Sequence, residues 1–132
     1  MPQPAARMND PVTGTDIHIV MVPAPSGAVP TPTPHPYVGR ITTGCSTDVQ
    51  INGQPAAVLG SGSTLNSPHV PIGGPSFQLP PSGSGTVLAG SPTVLVNSKP
   101  LARLGDQVQT CNDPVPAPTS AITGGSPDVM VG

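Results

Sequence analysis

Two segments of this chain, SPTVLVNSKPLARLGD (Ser91–Asp106) and STDVQINGQPAAVLGS (Ser46–Ser61), align without a gap. Val94 falls on Val49, Val96 on Ile51, Asn97 on Asn52, Pro100 on Pro55 and Gly105 on Gly60. Each unit reads as a strand of alternating Val or Ile, a tight Asn-Gly or Asn-Ser turn, and a return segment headed by Pro. Asn-Gly between apolar runs is a strong short hairpin signal, and Pro at the head of the return suits an edge strand, where a missing N–H is harmless. A third copy is split. The chain ends on SPDVMVG (Ser126–Gly132), the first half of a unit, and begins with PAARMND (Pro4–Asp10), the second half. Such a circular permutation brings the two ends of the chain together and closes a pseudo-three-fold ring of hairpins. One hairpin is marginal in water, but three can bury their Val/Ile faces on each other.

The rest of the sequence agrees with an all-β reading. With 21 Pro and 16 Gly in 132 residues, almost every window long enough for three helical turns is interrupted, and an interior Pro costs a helix about 3 kcal/mol. That content also fits disorder. Against disorder stand a net charge of only −2, too small for self-repulsion to hold the chain open, and short clustered runs of Val, Ile and Leu. The expectation is a single domain over residues 1–132, loop-rich, with little or no helix. It holds one Phe, one Tyr and no Trp, so its core is small and calls for a staple such as a metal, a disulfide or a partner.

Several classes drop out. No stretch approaches the roughly 18 apolar residues of a membrane span, and IHIVMV (Ile17–Val22) is too short for one. No basic region precedes an apolar run at the N-terminus, so no secretory signal peptide is expected and synthesis in a cytoplasm is. The four Lys and Arg are scattered, which is no nucleic-acid footprint. Arg7 and Arg103 recur at equivalent offsets and are expected to pair with Asp10 and Asp106.

Three His and two Cys remain as chemistry. His18 lies eight residues after Asp10, His69 eight after Ser61, and Cys111 five after Asp106. Each return segment is thus followed by one potential metal ligand. His35 lies in a Pro-rich segment, TPTPHPYVG, read as a loop. His18, His35, His69 and Cys111 together form a set close to the closed tetrahedral N/S sets of structural zinc. Closed coordination leaves no position for water, so it stabilises rather than catalyses, and it contributes on the order of 10 kcal/mol to folding in small zinc domains. Cys45 aligns with Gly90 and Gly125, and is read as a small buried side chain at a strand entrance. A Cys45–Cys111 disulfide is the competing use of the two thiols, and a solvated loop is the ordinary setting of a single His.

The tetrapeptide Pro4–Arg7, the run Gly90–Asp106 and the closing GGSPDVMVG (Gly124–Gly132) resemble the PAAR-repeat family, over nearly the whole chain. The resemblance implies a small cone of β-hairpins around a pseudo-three-fold axis. It implies a seat on the trimeric β-helical spike, VgrG-like or phage-type, of a contractile injection system such as type VI secretion or a phage-tail-like particle. One tip per trimer would sharpen the spike for membrane puncture, with transient contact to a target membrane and effector cargo as a further partner. The tip would be made in a bacterial cytoplasm and delivered outside it or into a target cell. A structural Zn2+ held by His18, His35, His69 and Cys111 follows by the same analogy. Copy two departs from the pattern, with Val58 where Arg is usual and Ser61 where Asp is usual. Copy three reads Pro-Leu-Ala-Arg.

An enzyme is the rival reading: a zinc-dependent hydrolase, or an effector-type enzyme delivered by such a machine. No catalytic residues are expected, because paired carboxylates, G-x-S-x-G and G-x-x-x-x-G-K-[ST] are all lacking. A disordered linker or stalk is the second rival. The repeats run from residue 4 to the last residue, which leaves no expected room for an effector extension.

Overall fold

A computed structural model describes residues 2–131; Met1 and Gly132, the last residue of the split copy, lie outside the described residues. In chain order the strands are β1 (Gln3–Pro4), β2 (Pro11–Val22), β3 (Val29–Thr43), β4 (Gln50–Ile51), β5 (Gln54–Pro55), β6 (Gly62–Leu65), β7 (Ser76–Phe77), β8 (Ser84–Val87), β9 (Leu95–Val96), β10 (Lys99–Pro100), β11 (Gln107–Thr110), β12 (Ala117–Ile122) and β13 (Met130–Val131). No helix occurs among them, as the Pro and Gly punctuation requires.

Six strands close into an antiparallel barrel-like cone, in the order β2, β3, β6, β8, β11, β12 and back to β2. Closure removes the free edges that make open sheets aggregate. It is tight where β12 meets β2 at Ser120↔Gly14. A Cβ on Gly14 would run into Ser120 and the Thr119 carbonyl, so only glycine fits there.

The Pro-rich segment that reads as a loop in the sequence is a strand. β3 pairs with β2 in unbroken register from Val29↔Val22 to Arg40↔Pro11. Its prolines, Pro30, Pro32, Pro34 and Pro36, alternate with the residues whose N–H groups face β2, and all four are exposed. Their missing N–H groups fall on the edge with no strand neighbour along Val29–Val38, where they block further pairing. Period-2 alternation thus survives a Pro at every second position.

Three small hairpins form one end of the cone: β4–β5, β9–β10, and β13–β1, in which the two ends of the described chain pair as Gln3↔Val131 and Pro4↔Met130. Asn52 and Gly53, and again Asn97 and Ser98, all have positive φ, the signature of type I′ turns. The hairpins are joined by a cyclic set of backbone bonds. The Ala6 N–H donates to Ala102, Ala102 to Ala57, and Ala57 back to Ala6, at 2.9, 2.9 and 3.0 Å. A second ring runs round the same three copies in the opposite sense, through Met8→Pro55, Leu59→Pro100 and Leu104→Pro4. Ser46, Ser91 and Ser126 each accept two downstream backbone N–H groups on their hydroxyl oxygen, which fixes the entry of each copy. Arg7 pairs with Asp10 and Arg103 with Asp106, both at 2.9 Å.

The core lies in two layers. Ala5, Ile51, Ala56, Val58, Val96, Leu101 and Val131 fill the space between the hairpins. Beyond the alanine ring, Val12, Tyr37, Ile41, Val87, Val108 and Ile122 fill the barrel. Past Tyr37, whose hydroxyl meets the Ser63 hydroxyl at 2.8 Å, the interior turns polar.

Candidate metal centre

β2 supplies the first residues of that polar interior. Its inward face runs Val12, Gly14, Asp16, His18, Val20, and Asp16 and His18 are fully buried. The facing strand contributes His35, two residues beyond Tyr37 on the same inner face of β3. Cys111 follows β11 directly and is buried. His69 comes from the segment between β6 and β7, with its side chain only 5% exposed. The three imidazoles cluster, with ring centroids 4.7 Å apart for His18–His69, 5.5 Å for His18–His35 and 5.7 Å for His35–His69. Phe77 sits edge-on to His18 and tilted against His35.

One ligand atom from each of Asp16, His18, His69 and Cys111 lies within 4.8 Å of the others. The Cys111 Sγ is 3.6 Å from His18 Nε2 and 3.5 Å from Asp16 Oδ2, and Asp16 Oδ2 is 3.9 Å from His69 Nε2. Of the four residues singled out from the sequence, His18, His69 and Cys111 converge here. His35 lies against them, but both its ring nitrogens are engaged: Nδ1–H donates to the Thr33 carbonyl at 2.8 Å, and Nε2 accepts the Ile72 N–H at 3.2 Å. Asp16 was absent from the sequence reading. The signal for it was there, because Asp16-Ile17-His18 puts the carboxylate on the same strand face as an expected ligand.

The surroundings orient these groups. His18 Nδ1 donates to Asp113 Oδ2 at 3.1 Å, which leaves Nε2 with its lone pair toward Cys111. This is the carboxylate–histidine arrangement that fixes tautomer and ring orientation at metal sites. Asp113 is held in turn on the edge of β2, where its N–H donates to the Ile17 carbonyl and its carboxylate accepts the Ile19 N–H. Asp16 Oδ1 accepts hydroxyl protons from Thr110 and Thr119, both at 2.5 Å.

His69 Nε2 is buried and has no hydrogen-bond partner among the described residues. An orphaned buried nitrogen is costly unless something occupies its lone pair. Burial, reinforced by neighbouring His18, holds the His69 imidazole below its usual range, and so in the neutral, ligating form. Burial first, and then the Asp16 carboxylate among lesser causes, pushes the Cys111 thiol up to about 11. A metal ion would reverse that by taking the thiolate as a ligand. The donor set therefore fits a small divalent ion. A cleft of about 350 Å³, bordered by Val38, Leu65, Val70 and Ile72, reaches His35 and His69 from outside and supplies an entry path.

Cys45 lies apart from the cluster. It is half-buried, its thiol donating weakly to the Thr43 carbonyl at 3.8 Å. Both cysteines are free thiols, so no disulfide staples the fold.

A family model described as the PAAR motif matches residues 78–132, which include the β9–β10 hairpin and Cys111. The matched segment carries the PAAR motif, and this supports a PAAR-repeat protein. The chain's closed, helix-free β cone is consistent with the fold expected of that family. The motif marks spike-tip-type proteins of secretion and injection systems, a structural family. No curated protein matches the chain.

Proposed function

We propose that this PAAR-repeat chain is a structural tip that caps a trimeric β-helical spike, VgrG-like or phage-type, one tip per trimer, and carries a structural zinc near its point. The observation that carries the reading is the three-way ring of backbone bonds through Ala6, Ala57 and Ala102. One polypeptide with three equivalent faces can meet each subunit of a homotrimer in the same way. The three hairpins offer chemistry for such a contact. Val49, Val94 and Val129 occupy equivalent positions and are each 37% exposed, and their neighbours Leu95 and Met130 are more exposed still. An apolar patch repeated around an axis suits the apolar end of a β-helix.

The opposite end supports the role of a point. Residues 17–39, 66–98 and 114–127 contain no Asp, Glu, Lys or Arg. The segments near the metal cluster expose Val29, Val70, Ile72, Leu79 and Val115, and His18 takes up Asp113. A surface of prolines and small apolar residues without formal charge can enter a membrane interface at low desolvation cost. A zinc behind it would tie β2, the segment carrying His69 and the end of β11 together, so that the point resists bending. The structural character of the family favours this tip over a hydrolase. Synthesis in a bacterial cytoplasm, assembly on the particle and delivery beyond the cell, with effector cargo carried elsewhere on the machine, complete the reading.

The test is co-expression with a trimeric VgrG-like spike protein of the same bacterium, with native mass measurement of the purified complex. One tip chain and one zinc per three spike chains is the expected result. Leu95→Glu together with Met130→Glu should abolish the complex and leave the melting temperature of the free tip unchanged. An equimolar complex, or an unaffected double variant, would overturn the cap.

A further inference from the structure

We infer that Asp16 is itself a metal ligand, giving an Asp16–His18–His69–Cys111 centre, and that His35 is a positioning residue rather than a ligand. This rests on the metal reading above and departs from the three-His, one-Cys set that the family resemblance implies.

Four observations support the assignment. The first is shape. Zinc bonds of about 2.0 to 2.3 Å in a tetrahedron put ligand atoms roughly 3.3 to 3.8 Å apart. The Cys111–Asp16, Cys111–His18 and Asp16–His69 separations of 3.5, 3.6 and 3.9 Å are close to three edges of that tetrahedron. The second is occupancy. His35 has spent both nitrogens, on Thr33 and Ile72, whereas His69 Nε2 is buried with no hydrogen-bond partner among the described residues and faces Asp16 at 3.9 Å. A neutral imidazole offers one acceptor only, so His35 could ligate only by giving up the Ile72 N–H. That bond has its own use, since it holds the segment that presents His69 three residues earlier.

The third is charge. A thiolate and a carboxylate neutralise a divalent ion, while one thiolate with three neutral imidazoles leaves a net positive charge in a site whose residues are almost all buried. Asp16, fully buried, has no Lys or Arg partner among the described residues, and a buried carboxylate needs a cation. The fourth is orientation. Thr110 and Thr119 hold Oδ1 and turn Oδ2 toward the other donors, as groups behind a ligating carboxylate do.

Zinc K-edge absorption on the metal-loaded wild-type chain tests this without a variant. Two imidazoles, one sulfur and one oxygen are expected, and three imidazoles with one sulfur would overturn it. Cobalt titration of the metal-stripped chain supplies a second readout. Asp16→Asn should weaken cobalt binding at least about tenfold and shift the visible ligand-field bands. His35→Gln, whose amide oxygen can still accept the Ile72 N–H, should bind within about threefold of wild type with unchanged bands. Loss of binding in His35→Gln as severe as in His18→Gln would refute the assignment, and that outcome can be read even if Asp16→Asn does not fold. A wild-type chain that takes up neither metal would remove the metal reading as a whole. A metal-binding chain with three imidazoles would remove the Asp16 assignment alone.

Discussion

Ser98 holds a backbone that serine disfavours. It stands at φ 67° in the second position of the β9–β10 turn, where the β4–β5 turn has Gly53 at φ 79°. The left-handed region costs an L-residue roughly 1–2 kcal/mol, and glycine returns part of that through its freer unfolded chain. Ser98→Gly should therefore stabilise the protein by on the order of 0.5–1 kcal/mol, read as a higher urea midpoint at constant slope. The turn itself was legible, because Asn97 aligns with Asn52 and Asn-Gly names the hairpin. Arg7 with Asp10, and Arg103 with Asp106, were legible from their repeated offset. The buried donor cluster was only partly so. Counting from the repeats found His18, His69 and Cys111 but passed over Asp16, which lies beside them on the inward face of β2 and not at any repeat position. Nor could His35 reveal that its lone pair goes to Ile72, since that bond joins two segments far apart in sequence.

At the scale of elements, the Pro-Ala-Ala pattern takes its meaning from the axis. Ala6, Ala57 and Ala102 are wholly buried, and each donates its N–H to the next copy round the ring. The small side chain lets three backbones approach one point, much as small residues do wherever chains pack closely. Ala57→Leu forces extra methylenes into this ring and should cost about 1–3 kcal/mol, measured as a lower denaturant midpoint with the Arg7 and Arg103 pairs untouched. A variant as stable as wild type would mean that the ring is not tightly packed. Sequence alignment reveals the three alanines as equivalents but not their closeness, because the distance between copies is set by the barrel that follows each one. β3 shows the same boundary. Its alternation was visible in Thr31, Thr33, His35 and Tyr37, yet proline at each intervening position reads as a loop until the strand edge is known to lack a neighbour.

For the molecule as a whole, the balance between core and metal sets the response to pH. The metal-free protein keeps the Cys111 thiol neutral up to about 11, against an ordinary value of 9.0. A raised folded-state value means that this contribution is complete below pH 9 and is lost as pH climbs through about 11, on the order of 2 kcal/mol in all. His69 works in the other direction. Its folded-state value lies below 6.5, so its contribution is complete above pH 6.5 and is lost as pH falls through the lower folded value. The metal-free chain should thus be most stable between these limits and melt at lower temperature on either side. Metal loading removes the alkaline loss, because the bound thiolate has no proton left to give. It also makes binding release one proton near neutral pH, so apparent affinity should rise about tenfold per pH unit between roughly pH 7 and 9. Melting curves of stripped and zinc-loaded protein across this range, with a chelator control, measure both effects. Two curves that run parallel above pH 9 would show that Cys111 keeps its proton in the loaded state and takes no part in holding the ion.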